Sequence, residues 1–342
     1  MSPTFYVNLG PIKLSEILNI ISAEIVGLDH DKEFNEIVSI DHAMNSEKAI
    51  SFVYENNYHK KTDLPKKTNL IISNKHKDKF VDFKNLIIVS DVHETLARIS
   101  SLFYRDINDN DTNYHLDSFV GENCAISSNA ILKKGVNIGK NSIIKDGVVI
   151  NNNCILGENT LIEENTVISN SIIGDNVRVG RNTSIGQPGF GFAINNFCNY
   201  KIYHLGRVIL QSNSSIGSNC CIDRGSFGDT IVGENTYFDN MCHIAHNVVI
   251  GSNCIFAAMA GIAGSSKIGN SVMAGGQVGI SGHLSVGNNV QIAAKSAVLK
   301  SISDNCSVMG NPAIDKYKYI RKYKKIYGWW VTIQWNKRSH SS

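Results

Sequence analysis

His246 follows Ile244 by two places, in the run Asp239-Asn240-Met241-Cys242-His243-Ile244-Ala245-His246-Asn247. In a chain that returns to the same face every 18 residues, Ile262 and Ile280 lie on that face one and two coils later. Gly264 then stands above His246, and His283 comes to the same edge roughly 10 Å away, two strand spacings on. A neutral imidazole takes a proton from an attacking amine or hydroxyl, and a glycine N–H stabilises the oxyanion of a tetrahedral intermediate. The pattern therefore suits acyl transfer. Two other readings share the same residues. Both histidines could be surface or subunit-contact residues, or His243, His246 and His283 could hold a metal across a subunit boundary, as a hydratase needs.

The period that aligns these residues is six. An aliphatic residue recurs at Val120, Ile126, Leu132, Ile138, Ile144, Ile150, Leu156, Ile162 and Ile168, slips by one, and resumes at Ile173, Val179 and Ile185. After an interruption it returns at Leu210, Ile216 and Ile222, then runs from Val232 to Val298. Neither a helix nor an amphipathic strand gives this period, but a chain that turns a corner every six residues does. Three faces per coil make a triangular β-helix. The residue four places after each aliphatic one shares the interior and is small; Cys124, Cys154, Cys220, Cys242 and Cys254 occupy that slot as core residues. Corners such as Gly157-Glu158-Asn159 and Gly251-Ser252-Asn253 suit the left-handed backbone of sharp turns.

The flanks lack the hexad. Residues 1–115 read as an α/β domain: a helix over Lys13–Leu28, strands at Ile50–Tyr54, Leu70–Ser73 and Leu86–Val89, and a helix over Glu94–Phe103. Arg105–Asp111 reads as a linker to the prism, residues 116–312, which Gly310-Asn311-Pro312 ends. Residues 313–342 form a basic extension with a helix over Asp315–Tyr327. In it Tyr317, Ile320, Tyr323 and Tyr327 face the prism and Arg321, Lys322, Lys324 and Lys325 point outward. The fold class is thus mainly β, a parallel β-helix with an N-terminal α/β domain and a C-terminal helix.

Composition narrows the setting. Of 342 residues, 42% are apolar and 18% charged, enough to bury a large core. No stretch approaches the roughly 20 apolar residues that span a bilayer, and no secretory leader is evident. The eight cysteines form no C-x-x-C cluster, so neither zinc nor a disulfide framework is suggested, and a reducing cytoplasm is expected. Net charge is only +3, yet eight Lys/Arg against the single Asp315 make residues 313–342 strongly basic. That concentration points to a local acidic protein partner rather than to nucleic acid.

Four segments carry a resemblance: Ile185-Gly186-Gln187-Pro188-Gly189-Phe190-Gly191-Phe192, Ile222-Asp223-Arg224-Gly225, Asp239-Asn240 with Ile244-Ala245-His246-Asn247-Val248, and Ser281-Gly282-His283. The chain resembles the UDP-3-O-(3-hydroxyacyl)glucosamine N-acyltransferases of lipid A synthesis, in domain order as well as motif. The resemblance implies a left-handed β-helix, a homotrimer, and transfer of a 3-hydroxyacyl group from acyl carrier protein to the 2-amine of the UDP-linked sugar. No metal or dissociable cofactor is implied, since phosphopantetheine arrives on the carrier protein. It further implies His246 as base, Asp239 as an orienting carboxylate, Gly264 as oxyanion donor and His283 near the sugar phosphates. Phe52 and Tyr58 match aromatics that hold uracil. Glu55 stands where the family often has Asn, with Asn56 following it. Arg321, Lys322 and Lys325 are expected to dock acyl carrier protein. At Ala297 some members carry Met, so Ala implies a deeper acyl groove and a preference for chains longer than about fourteen carbons, at ~0.8 kcal/mol per buried methylene. The rivals are the related O-acyltransferase on UDP-N-acetylglucosamine, acetyl-CoA-dependent sugar acetyltransferases, and a non-catalytic β-helical scaffold.

Overall fold

The computed structural model describes residues 5–40, 47–54, 64–106, 118–195 and 198–327. Two-residue strands repeat around a prism with three parallel sheets, beginning at Phe119–Val120, Ala125–Ile126 and Ile131–Leu132. These are termed the first, second and third faces. Each strand pairs with the one a coil later, Ile126 with Ile144 and Ile144 with Ile162, so the 18-residue coil is the unit of stacking. The second residue of each pair points inward. Ile138, Ile150, Ile162, Val179, Ile222, Ile244 and Val298 are all essentially buried and form one continuous core. Cys154, Cys220, Cys242 and Cys254 are buried in the small slot, and Cys124 is half-buried.

The corners divide the turn chemistry differently from the sequence reading. The left-handed residue is usually asparagine, at φ 55° for Asn159 and 60° for Asn253, and its amide stacks on the next: Asn141 Nδ2 donates to Asn159 Oδ1 at 3.2 Å. Asparagine tolerates this conformation because its short polar side chain bonds locally. Glycine serves a separate need. A Cβ at Gly139 would lie 2.5 Å from the Gly157 carbonyl carbon, so it lets one coil seat on the next.

Two insertions into the 18-residue register fall at the same corner, where the third face gives way to the first; the one-residue slip that pairs Ile168 with Ile185 falls there too. Ile185 pairs with Ile222, 37 residues on, because a hairpin of Phe192–Ile194 with Asn199–Lys201 is inserted. Ile222 pairs with Ile244, 22 residues on, leaving room for an extra loop at Gly225–Asp229.

In the N-terminal unit the strands Glu24–Val26, Asn85–Val89, Asn69–Ser73, Ala49–Phe52 and Glu36–Ser39 form one sheet in that order. All but the first pair are parallel. The helix expected over Lys13–Leu28 is only Leu14–Leu18 (α1), because Glu24–Val26 is drawn into the sheet as an edge strand. Pairing overrides the amphipathic pattern there. Helix α2, Val92–Phe103, is capped by the Asp91 side chain, which accepts from the Glu94 N–H at 2.9 Å, and buries Leu96, Ile99 and Phe103. The expected linker begins instead as a strand: Tyr104–Asp106 pairs antiparallel with Tyr6–Asn8, and residues 107–111 lie outside the described residues.

Helix α3, Lys316–Tyr327, follows the prism. Tyr319 packs where a Cβ on Gly310 would stand 2.6 Å from its ring, and it stacks on Tyr323 at 4.4 Å between centroids. Tyr317 is 69% exposed, so Tyr319 takes its place on the half-buried face with the expected Ile320 and Tyr323, and the side chain of Tyr327 lies outside the described residues. Arg321, Lys322 and Lys325 are exposed. Trp329, Trp330 and Trp335 lie outside the described residues.

Candidate active site

His246 sits in the turn between the strands His243–Ile244 and Val249–Ile250, at the corner that receives both insertions. Asn247 takes the left-handed conformation (φ 59°), which frees His246 to project from the edge. The Nδ1 of His246 lies 3.1 Å from Asn247 Oδ1. That oxygen also accepts from the Ser226 N–H at 2.9 Å and the Ser226 hydroxyl at 2.8 Å, while Asn247 Nδ2 donates to the Gly228 carbonyl at 3.1 Å. The network assigns Oδ1 as acceptor. Nδ1 of His246 therefore carries the proton and Nε2 holds the lone pair, the tautomer a general base needs.

Gly264 covers that lone pair. A Cβ on Gly264 would stand 2.8 Å from both Nε2 and Cε1 of His246, so only glycine fits there. The amides on either side are used in the stacking of coils: Ala263 N–H donates to the Ile280 carbonyl, and Ser265 N–H to the carbonyl of His246. His283 shifts by one column from its expected place. Its φ of 59° matches those of Ser265 (61°) and Asn247 (59°), so the stack over His246 is Gly264 and Gly282, while exposed His283 tops the neighbouring column. The expected edge of histidine, glycine and histidine becomes histidine, glycine, glycine because two 18-residue steps from His246 reach Gly282.

Asp239 does not reach His246 within the chain. It lies at the opposite corner of the third face, where its Oδ1 accepts from the N–H of Asn240 at 2.7 Å and from Asn240 Nδ2 at 2.9 Å. Among the described residues Asp223, 6% exposed, is the carboxylate that pairs with an imidazole here. It accepts from Gln187 Nε2 at 2.7 Å, Gln187 Oε1 accepts in turn from the Ser184 hydroxyl at 2.7 Å, and His243 Nε2 stands 3.6 Å from its other oxygen. Burial pushes the Asp223 carboxyl up from its ordinary value; His243, the Gln187 amide and His246 pull it back. Asp223 and Gln187 sit in quoted motifs, but only the insertion brings Gln187 over Asp223. His243 faces Asp223 while His283 stands in another column, and among the described residues no group of three or more ligand side chains converges as a metal site would require.

Along the outer surface of the third face, His243, Gly261, Gly279 and Ala297 are register partners. A Cβ on Gly261 or Gly279 would meet nothing within 4 Å, so a smooth open strip runs roughly 14 Å from His243 to half-buried Ala297. In the N-terminal unit, Phe52 is only 3% exposed and packs edge-on against Phe227 of the second insertion at 4.7 Å. It is a core residue here, since its strand is central and buried along its whole length. Asn56 and Tyr58 lie outside the described residues.

A family model described as "Bacterial transferase hexapeptide (six repeats)" matches residues 229–264, and one described as "GMPPB C-terminal domain" matches residues 115–194. Among solved structures, Arabidopsis UDP-N-acetylglucosamine acyltransferase aligns with a TM-score of 0.55 at 20% identity, over 63% of this chain and 75% of that one. UDP-N-acetylglucosamine acyltransferase from Campylobacter jejuni aligns with a TM-score of 0.50 at 25% identity, over 59% of this chain and 84% of that one. The prism is thus a hexapeptide-repeat, left-handed parallel β-helix, as expected. Among curated proteins, UDP-3-O-acylglucosamine N-acyltransferase from Caulobacter vibrioides (strain NA1000 / CB15N) is 52% identical over 64 residues, which is 19% of this chain and 19% of that protein. The aligned stretch spans under a fifth of that relative's length, and its name is the one the four motifs suggested.

Proposed function

We propose that the chain is an acyl-carrier-protein-dependent N-acyltransferase that moves a 3-hydroxyacyl group onto the 2-amine of UDP-3-O-(3-hydroxyacyl)glucosamine. The observation that carries this is the corner itself: a histidine whose Nδ1 is satisfied by Asn247 and whose Nε2 faces Gly264, at the edge of a strip bare of side chains. Nε2 takes the amine proton as nitrogen attacks the thioester carbonyl, and the Gly264 N–H stabilises the oxyanion. Collapse of the intermediate expels the phosphopantetheine thiolate, which leaves with the proton held by His246. No dissociable cofactor enters the reaction. The strip ending at Ala297 suits the acyl chain.

A homotrimer completes this reading. Tyr237, Ile255 and Met273 lie outward on the second face, and Met241 and Met259 at its corner with the third; all are 42–52% exposed and form an apolar stripe that suits another copy of the chain. Asp239 lies on that same corner, so it can orient a His246 only across such a boundary. Exposed Arg321, Lys322 and Lys325 fit an acidic carrier protein; charge reversal at Arg321 and Lys325 is expected to raise KM for the acyl donor in a salt-sensitive way, and a salt-insensitive, unchanged KM counts against docking there.

A transfer assay on the full chain tests the function, with 3-O-acylated and unacylated UDP-sugars as competing acceptors. Transfer to the 3-O-acylated sugar is expected, with His246→Ala slower by roughly 10²–10⁴-fold at unchanged Tm. Near-normal kcat in that variant removes the base. Preference for UDP-N-acetylglucosamine, the substrate in the names of the structural neighbours, favours the O-acyltransferase.

A further inference from the structure

A second imidazole stands against His246. The rings of His204 and His246 are 5.1 Å apart between centroids and inclined at 72°, edge to face. His204 comes from the first insertion, 42 residues earlier and outside every hexad. It is 2% exposed. Its Nδ1 lies 2.9 Å from the Ile202 carbonyl, which accepts only, so the proton sits on Nδ1 and Nε2 carries a lone pair. That Nε2 is buried and has no hydrogen-bond partner among the described residues. An unpaired buried acceptor costs about 1–3 kcal/mol, and an apolar ring would fill the space without that cost.

Three further observations tie the ring to the base. A Cβ on Gly189 would stand 2.9 Å from His246 Cβ, 3.0 Å from His246 Cδ2 and 3.1 Å from His204 Nε2, so the lone pair and the edge of the catalytic ring border one point that only a glycine backbone leaves open. The carbonyl of His204 accepts from the Tyr6 hydroxyl at 2.7 Å and from Arg224 Nε at 3.0 Å, and Arg224 is paired with buried Asp106 at 2.7 Å. The two short strands of the N-terminal unit therefore fix where His204 sits. Burial, aided by His246, Arg224 and Lys201, depresses its pKa to about 4, so it stays uncharged at neutral pH.

We propose that His204 is a positioning residue for His246, holding its ring edge to face and presenting the Nε2 lone pair to the imidazolium that His246 becomes on taking the acceptor's proton. The proposal rests on His246 acting as base. An unsatisfied acceptor in a dry site has no preference for a neutral neighbour, but it is attracted to a cation that forms beside it, with no reorganisation needed at that moment. Among the described residues, the charged and titratable groups facing the pair are Asp223 on the His246 side, Arg224 and Lys201 on the His204 side, and the Tyr6 hydroxyl at the His204 carbonyl. All four remain when the His204 side chain is changed.

The test compares wild type, His204→Phe and His204→Gln as full chains, by pH–rate profile at saturating substrates and by NMR titration of the His246 ring, assigned with His246→Ala. Phenylalanine keeps a ring and deletes the lone pair; glutamine keeps an acceptor oxygen. For His204→Phe we expect kcat roughly tenfold to a hundredfold lower, KM within about twofold, and the titration of His246 moved down by about half a unit to one unit. His204→Gln should recover most of each change. A His246 titration unmoved in His204→Phe overturns the proposal whatever the rate does, as does a His204→Gln variant equally impaired. Should the phenylalanine variant not fold, ring nitrogen shifts of wild type decide: the lone pair must be on Nε2 of His204 at neutral pH, and a proton there ends the argument. Wild type that transfers no acyl group strikes the proposed function while the titration still reports on the pair.

Discussion

The third face of the prism has two corners, and they share a backbone. At one, Met241, Met259 and Gln277 take left-handed φ values of 59–62°; at the other, Asn247, Ser265 and His283 take values of 59–61°. The first corner is regular, exposed and apolar, and beside it the carboxylate of Asp239 accepts from Asn240. The second has both insertions, and they surround His246 with Gly189, His204, Ser226 and Gly228. A repeat supplies register and rigidity; the chemistry collects where the repeat is broken.

If that contrast is right, crowding the second corner should be costly to rate and cheap to the fold. Gly264→Ala places a methyl 2.8 Å from Nε2 of His246 and must displace the imidazole, because Gly264 itself is pinned between the bonds of Ala263 and Ser265. A displacement of about 1 Å from the productive geometry costs on the order of a hundredfold, so kcat should fall by about that much with little change in Tm. Equal loss of stability and rate would make Gly264 a structural glycine. A smaller effect is expected from Asn247→Gly, which keeps the left-handed backbone but removes the acceptor that holds the His246 tautomer. Roughly a tenfold loss in kcat, with KM little moved, is expected, and a rate equal to wild type would show that Asn247 does not set the tautomer. The smallest change concerns the strip between the corners. Ala297→Met should leave the rate on short donors intact and reduce the preference for long ones by several-fold per carbon; an unaltered length profile would show that the strip does not take the acyl chain.

Much of this was legible beforehand. The hexad gave the three faces, the buried column from Ile138 to Val298 and the cysteine slot, because inward side chains in a coil of fixed length must repeat at that length. It also put Gly264 over His246, since both lie in an uninterrupted stretch. The same step puts Gly282 over Gly264, and the expectation for His283 fails because the corner residue that projects differs from the one that turns the backbone. The N-terminal helix is shorter than its pattern predicts, because an amphipathic pattern cannot tell α1 from the edge strand that follows it.

What the sequence determined by itself was the prism and the candidate base, through periodic burial, a local signal that each coil restates. What only the tertiary structure decided was the company that base keeps. Asn247 tied to Ser226, Asp223 bonded by Gln187, and His204 sealed against His246 depend on insertions of irregular length and on the carbonyl of His204 being held by Tyr6 and Arg224. Contacts closed over 20 to 198 residues leave no period in a sequence, since their geometry is set by how separate segments pack and not by any spacing along the chain.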